Sequence, residues 1–237
     1  MKRKGWIIPL VILILLLGGF FLYTGIDYHA SPSAEQALVS DAAVSVSKTD
    51  YGWFFDGPSE KDALIFYPGG KVEETAYAPF LRLLAEKGID VCLVEMPFRL
   101  AIFGKNKAGE ILSSYEYDRW FIGGHSLGGA MAAVYASEHD EFAGTVLCAA
   151  YPTDPLPKDD LEIIVYGSED GVLNLEKVEK GRAYATDHAV QYVIPGGNHA
   201  QFGDYGIQSG DGEALISASD QQALAVDFIL KTIHENE

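Results

Sequence analysis

The sequence predicts an α/β domain with a mostly parallel, twisted sheet that is covered by helices on both faces. Two observations carry this prediction. A pair of strand-like segments over residues 42–55 is followed by an alternation of short apolar segments with helical patterns, which is typical of parallel sheets. A Gly-His-Ser-Leu-Gly motif at 124–128 lies between an apolar run and a small-residue helical stretch. In that context the serine is lifted above a parallel sheet on a sharp turn.

The elements follow in order from the apolar periodicity. Strands are predicted over 42–47, 53–55, 63–67, 91–94, 120–123, 145–150, 161–166 and 190–194. Helices are predicted over 76–85, 100–115 and 126–137, with a last amphipathic helix that begins at Asp220. Because an open parallel sheet binds ligands at the carboxyl ends of its strands, residues that follow a strand are the candidates for chemistry.

The first 25 residues are expected to be a membrane anchor or an uncleaved signal segment. Residues 6–23 hold no charge and follow Lys2-Arg3-Lys4. As a helix they would rise about 27 Å, close to the hydrocarbon thickness of a bilayer. No small-residue cleavage site follows closely, which favours a single-pass anchor in the cell membrane with an exported C-terminal domain over secretion after cleavage. Residues 26–40 are then a tether, and 41–237 form the α/β domain.

Charge and cysteine content exclude some functions. The 237 residues carry a net charge of −17, a surface that repels nucleic acid and anionic headgroups, so no nucleic-acid partner is expected. Cys92 and Cys148 fall in central strands expected to lie roughly 14 Å apart, too far for a disulfide. No Cys/His cluster has zinc spacing, so no metal or cofactor is predicted. The oligomeric state stays open.

Ser126 is the candidate nucleophile, and it needs a base, an orienting acid and donors for the oxyanion. His199 is the candidate base because it follows the carboxyl end of a predicted strand on a glycine-containing loop. The other histidines are expected to lie away from the catalytic position. His29 falls in the tether, and His125 adjoins the serine with its side chain pointing away. His139 falls at the far edge of the sheet, His188 at the amino end of a strand and His234 in the last helix.

Asp170 is the candidate acid, since it follows the strand at 161–166 and lies between the serine and the histidine in chain order. Glu169 and Asp154 are its competitors, whereas Asp204 lies beyond His199 and breaks that order. The backbone amides of Leu127 and Gly70 are the candidate oxyanion donors, with Lys71 as the neighbour of Gly70. Some aromatic residues are expected either to line an acyl pocket or to serve in packing: Tyr77, Phe98, Phe202 and Tyr205.

Four motifs in this order resemble the α/β-hydrolase superfamily, most of all the small, lidless group related to dienelactone hydrolases. They lie at 66–72, 123–131, 167–171 and 196–203, and the resemblance covers about residues 42–235. It implies an α/β-hydrolase fold in which Ser126 is the nucleophile, Asp170 the acid and His199 the base. Dienelactone hydrolases proper use a cysteine nucleophile, so the serine departs from their pattern. Pro68 stands where many members of the superfamily have histidine.

The expected activity is hydrolysis of a carboxylic ester or related acyl bond of a small molecule, through an acyl-enzyme. The alternatives are acyl transfer or peptide cleavage by the same three residues, or a non-catalytic binding module on a hydrolase fold. Lipases often carry a lid between two of these strands. Here only about ten residues, 151–160, separate the predicted strands 145–150 and 161–166, a length close to the minimum for a crossover connection. An open, shallow site is therefore expected. The substrate itself is not predicted.

Overall fold

The computed structural model describes residues 6–59 and 61–236 and contains an eight-stranded sheet. Its order is β1-β2-β4-β3-β5-β6-β7-β8. The strands β1 and β2 are antiparallel to each other and β2 is antiparallel to β4, whereas the remaining neighbours are parallel. The mostly parallel sheet is thus confirmed. The bounds are β1 Ser45–Lys48, β2 Gly52–Asp56, β3 Asp62–Tyr67, β4 Ile89–Val94, β5 Arg119–His125, β6 Phe142–Cys148, β7 Leu161–Gly167 and β8 His188–Ile194.

Seven α-helices accompany the sheet in the described part of the chain. They are α1 Ile7–Thr24, α2 Pro32–Gln36, α3 Ala78–Glu86, α4 Lys107–Leu112, α5 Leu127–Ser137, α6 Leu175–Gly181 and α7 Ala218–Glu235. The helices α3 and α7 contribute buried residues to one apolar cluster, and α4 and α5 to another. Leu64 and Phe66 of β3 belong to the first cluster, and Ala63, Ile65 and Tyr67 to the second. This alternation is that of a strand buried on both faces, as predicted for a sheet between two helical layers.

The helix predicted over 100–115 is wrong in its extent. The chain instead forms two single 3₁₀ turns, Pro97–Arg99 and Ala101–Phe103, before α4 begins at Lys107. Phe98 and Arg99 both have φ 55°, outside the helical region. A Cβ on Gly104 would lie 2.6 Å from the Met96 sulfur, so a glycine keeps this bend close to the end of β4. Close packing has overridden the helical pattern here.

The apolar N-terminal segment is helical over Ile7–Thr24. Among the described residues, no helix is both long and apolar enough to cross a bilayer. Phe20 of α1 packs edge-on against Phe98 and Phe103, with centroid distances of 5.3 and 6.0 Å. The basic residues at 2–4 lie outside the described residues, and the localisation stays a prediction.

Residues 26–40, predicted to be a tether, rest against the α/β domain. Tyr28 forms a β-bridge with Val72, and the Ser31 amide donates to the Asp204 carbonyl at 2.8 Å. Ser31 also caps α2, where its hydroxyl accepts from the Ala34 amide. The middle of this segment therefore contacts the loop that follows His199.

Cys92 and Cys148 are both buried free thiols, in β4 and β6. Two strands, β3 and β5, separate them, as the sequence predicts. Burial raises the pKa of Cys92 to about 12 and also raises that of Cys148. Thiols that stay protonated and buried serve in packing.

Candidate active site

Ser126 lies on a sharp turn between β5 and α5, with φ 52° and ψ −120°. A positive φ is uncommon and costly for a residue with a side chain. The Ser126 amide donates to the Cys148 carbonyl at 2.9 Å, which ties the turn to β6. A Cβ on Gly124 would lie 2.4 Å from the Tyr67 carbonyl oxygen, and a Cβ on Gly128 would lie 2.2 Å from the same atom. Both glycines of the motif are therefore required for α5 to pack against the end of β3.

Asp170 and His199 form a buried acid–imidazole pair. The loops after β7 and β8 bring them together, and the Asp170 carboxylate oxygens lie 2.9 and 3.1 Å from His199 Nδ1. Both side chains are only 1% exposed. The Asp170 carboxylate also accepts from the amides of Val172 and Leu173, at 2.9 and 2.7 Å. A carboxylate held in this way fixes the ring and places the proton on Nδ1, which leaves Nε2 as an acceptor.

Ser126 and His199 line the same cavity, which has a volume of about 350 Å³. His199 Nε2 is buried and makes no hydrogen bond with any described residue, so a Ser126–His199 hydrogen bond is not formed in this structure. Catalytic hydrogen bonds often close only when substrate is bound. The remaining lining is mostly small or apolar and comprises Leu127, Ala130, Ala149, Ala150, Tyr151, Val172, Leu173, Asn174 and Lys177.

The loop after β3 offers one unoccupied backbone donor. The Gly69 amide donates to the Tyr77 hydroxyl at 3.0 Å, and the Lys71 amide donates to the Arg99 carbonyl at 2.8 Å. Among the described residues neither the Gly70 amide between them nor the Leu127 amide has an acceptor. Leu127 is the first residue of α5, where an amide has no partner within the helix. A Cβ on Gly70 would lie 3.0 Å from Leu127 Cδ2, so these two residues are neighbours.

The competing residues lie elsewhere or have other partners. His139 stacks on Tyr135 at 3.8 Å, and His188 is the exposed first residue of β8. Glu169 accepts from the Ser168 hydroxyl, Asp154 from Thr153 and Asp204 from Ser33. His29 pairs with Asp27 and Glu73 near α1, and His234 lies in the last turn of α7.

The four aromatic candidates do not line the cavity of Ser126. Tyr77, Phe202 and Tyr205 are buried, and Phe98 lies against α1. Their packing interpretation is therefore the correct one. Within the described residues, no group of His, Cys, Asp and Glu side chains is arranged to hold a metal ion.

His125 does not simply point away from the site. It is 1% exposed, its Nδ1 lies 2.8 Å from the Tyr77 hydroxyl, and its ring centroid is 4.5 Å from that of His199. Burial, and after it the charge of His199, holds the pKa of His125 well below its ordinary 6.5. Burial likewise raises the pKa of Tyr77 well above 10. This neutral pair connects the loop of Gly69 to the serine turn without placing a second charge beside His199.

Sequence reasoning missed Asp211. Its Oδ1 accepts from the amides of Gly171 and His199, each at 3.1 Å, and of Gly212 at 2.8 Å. Its Oδ2 accepts from the Ala200 amide at 2.8 Å. One carboxylate thus joins the loop that carries Asp170 to the loop that carries His199. Asp211 follows no strand, so the rule used to select candidates could not find it.

Comparison with known proteins agrees with this architecture. Residues 63–223 match the model of the alpha/beta hydrolase family. No curated protein sequence matches the chain. A candidate dienelactone hydrolase from Klebsiella pneumoniae is similar at 15% identity, 80% coverage of this chain, 98% of the other and a TM-score of 0.59. A ferulic acid esterase from Streptomyces cinnamoneus shares 17% identity over 74% of this chain and 67% of its own, with a TM-score of 0.58. A soluble variant of monoglyceride lipase from Saccharomyces cerevisiae shares 11% identity over 83% of this chain and 97% of its own, with a TM-score of 0.57.

The sheet order, the strained serine turn and the acid–imidazole pair define a protein with the architecture of a hydrolase. The family match covers more than half of the sequence, so the chain belongs to the alpha/beta hydrolase family and is a hydrolase. The predicted resemblance to dienelactone hydrolases is confirmed at the level of the fold.

Proposed function

We propose that this protein hydrolyses carboxylic esters of small molecules through Ser126, His199 and Asp170. The observation that carries the proposal is the buried pair of Asp170 and His199, which opens on the same cavity as the strained turn of Ser126. The three residues follow the carboxyl ends of three parallel strands, and Ser126 and His199 line the cavity while Asp170 contacts the His199 ring. Ligands bind at this edge of an open parallel sheet.

The first step is attack of Ser126 Oγ on the ester carbonyl. His199 Nε2 takes the hydroxyl proton, and the Asp170 carboxylate stabilises the imidazolium that results. The negative charge on the carbonyl oxygen falls to the amides of Gly70 and Leu127, which have no acceptor among the described residues. Loss of one such donor typically costs about 3–4 kcal/mol of transition-state stabilisation.

The second half of the reaction reverses these roles. The imidazolium returns its proton to the alkoxide as the ester C–O bond breaks, which leaves an acyl group on Ser126. Water then attacks the acyl-enzyme, with His199 as the base, and releases the carboxylic acid and the free serine. The proposal requires the Ser126–His199 hydrogen bond to form when the ester is bound.

The proposal is tested with a fluorophosphonate probe and a p-nitrophenyl ester. Ser126→Ala is expected to remove covalent labelling and nearly all ester hydrolysis, because no other described hydroxyl lies on the serine turn. Ser137→Ala is the matched control: Ser137 ends the same helix α5 and its hydroxyl donates to the Val134 carbonyl.

Labelling of wild type and Ser137→Ala, with none in Ser126→Ala, is the expected result. Labelling that survives Ser126→Ala would disprove the assignment of the nucleophile. Wild-type protein that neither labels nor hydrolyses any ester of a chain-length series would instead favour a non-catalytic binding module. Release of a transfer product when an alcohol is added would favour the acyltransferase alternative.

A further inference from the structure

The cavity of Ser126 contains one lysine in a lining that is otherwise uncharged apart from the catalytic histidine. Lys177, the third residue of α6, lies on this lining with Val172, Leu173 and Asn174. The Asn174 side chain accepts from the Lys177 amide at 3.0 Å, which fixes the start of α6 beside the cavity. Lys177 is exposed, and it is the one lysine among the residues that line this cavity.

Lys177 is also unpaired where its neighbours are paired. On the same segment, Lys180 bonds to Glu176 at 2.7 Å and Arg182 to Glu179 at 3.1 Å. The Lys177 ammonium makes neither an ion pair nor a hydrogen bond with any residue that the structure describes.

The position is unfavourable for helix stability. The first turn of a helix favours acidic side chains because its backbone amides carry partial positive charge, and a lysine there is opposed by the same field. Of the carboxylates near it along the chain, Asp170 is engaged by the His199 ring and two backbone amides, and Glu176 pairs with Lys180. Residues that break a local rule without internal compensation concentrate at functional sites.

We infer that Lys177 binds a carboxylate on the substrate, so that the preferred esters have an acyl chain that ends in a carboxylate. This inference rests on the proposed function. The acyl part occupies the site through both steps, so a contact with it serves acylation and deacylation alike. In a protein of net charge −17, a local cation is what lets an anionic substrate approach.

The test compares two esters with the same number of acyl carbons, mono-p-nitrophenyl glutarate and p-nitrophenyl valerate. The measured quantity is the ratio of their kcat/KM values, anionic over neutral. Lys177→Gln is expected to lower this ratio about fivefold, mainly by raising KM for the anionic ester. A fivefold effect is the upper range for an exposed ion pair. Lys177→Glu is expected to lower it further because it adds repulsion.

Lys180→Gln is the matched control, since Lys180 lies one turn along α6 and outside the cavity lining. Its ratio is expected to equal that of wild type. Equal ratios in wild type, Lys177→Gln and Lys177→Glu would overturn the inference, as would an equal fall in Lys180→Gln. If valerate is hydrolysed and Ser126 labels, such a result refutes only the role of Lys177. If wild type neither labels nor cleaves either ester, the proposed function fails and the inference fails with it.

Discussion

Removal of the Asp211 carboxylate is expected to impair activity, although Asp211 is not one of the three proposed catalytic residues. This carboxylate accepts from four backbone amides, on Gly171, His199, Ala200 and Gly212, at 2.8 to 3.1 Å. Since Gly171 adjoins Asp170, the carboxylate sets the distance between the acid and the base. Its loss would let the two loops move independently.

The magnitude follows from these bonds. A hydrogen bond to a charged group contributes about 1.5–3 kcal/mol, but Asp211 is only half-buried and the freed amides regain some water. Asp211→Ala is therefore expected to lower the free energy of unfolding by about 2–4 kcal/mol, less than the sum of four bonds. Asp211→Asn keeps one acceptor oxygen and turns a donor towards the Ala200 amide, so about 1–2 kcal/mol is expected.

Activity is expected to fall more steeply than stability. A displacement of about 1 Å in a catalytic group can lower the rate about 100-fold, which is the fall in kcat expected for Asp211→Ala. About tenfold is expected for Asp211→Asn, and KM should change little in both variants because Asp211 does not line the cavity of Ser126.

Urea unfolding and the kinetics of p-nitrophenyl ester hydrolysis measure both effects. Asp204→Asn is the control, because Asp204 lies in the same region but, among the residues that the structure describes, its side chain accepts only from the Ser33 hydroxyl. Its kcat is expected to stay at the wild-type value. If Asp211→Ala does not fold, Asp211→Asn provides the test. Wild-type kcat in a folded Asp211 variant would refute the reasoning.

Two further predictions concern the floor of the site. The pKa of His125 in the folded protein is depressed below its ordinary 6.5, so the unfolded chain binds one more proton as the pH falls. The free energy of unfolding is therefore expected to decrease below about pH 6.5, by up to about 1.4 kcal/mol per pH unit. His125→Gln should flatten this part of the pH dependence in urea unfolding, and an unchanged slope would contradict it. Gly128→Ala places a Cβ 2.2 Å from the Tyr67 carbonyl oxygen, so a loss of about 1–3 kcal/mol and a large fall in kcat are expected. Gly18→Ala, where nothing lies within 4 Å, should show neither effect in the same assays.

Much of the fold could be predicted because strands buried on both faces leave a local record. The segment at 63–67 is continuously apolar, and it is β3 at the centre of the sheet. The helix predicted over 100–115 is wrong in its extent because the helical spacing of apolar residues reports only local preference. The backbone there instead follows the positive φ of Phe98 and Arg99 and the tight packing of Gly104 on Met96.

For the candidate site, the sequence by itself determined which residue types stand at the carboxyl ends of strands. Chain order and strand ends select Ser126, Asp170 and His199, and the two motif glycines follow from the turn that the serine needs. These features are decided within a few residues of each strand, so a linear reading reaches them.

Only the tertiary structure decided how those residues are held. Asp211 lies 12 residues beyond His199 and 41 beyond Asp170 on an irregular segment, and it acts by accepting backbone amides, which every sequence provides. The bond between Tyr77 and His125 and the position of Lys177 on the cavity likewise depend on how the loops fold over the sheet. Contacts between distant loops depend on three-dimensional packing, and such packing has no periodicity in the sequence.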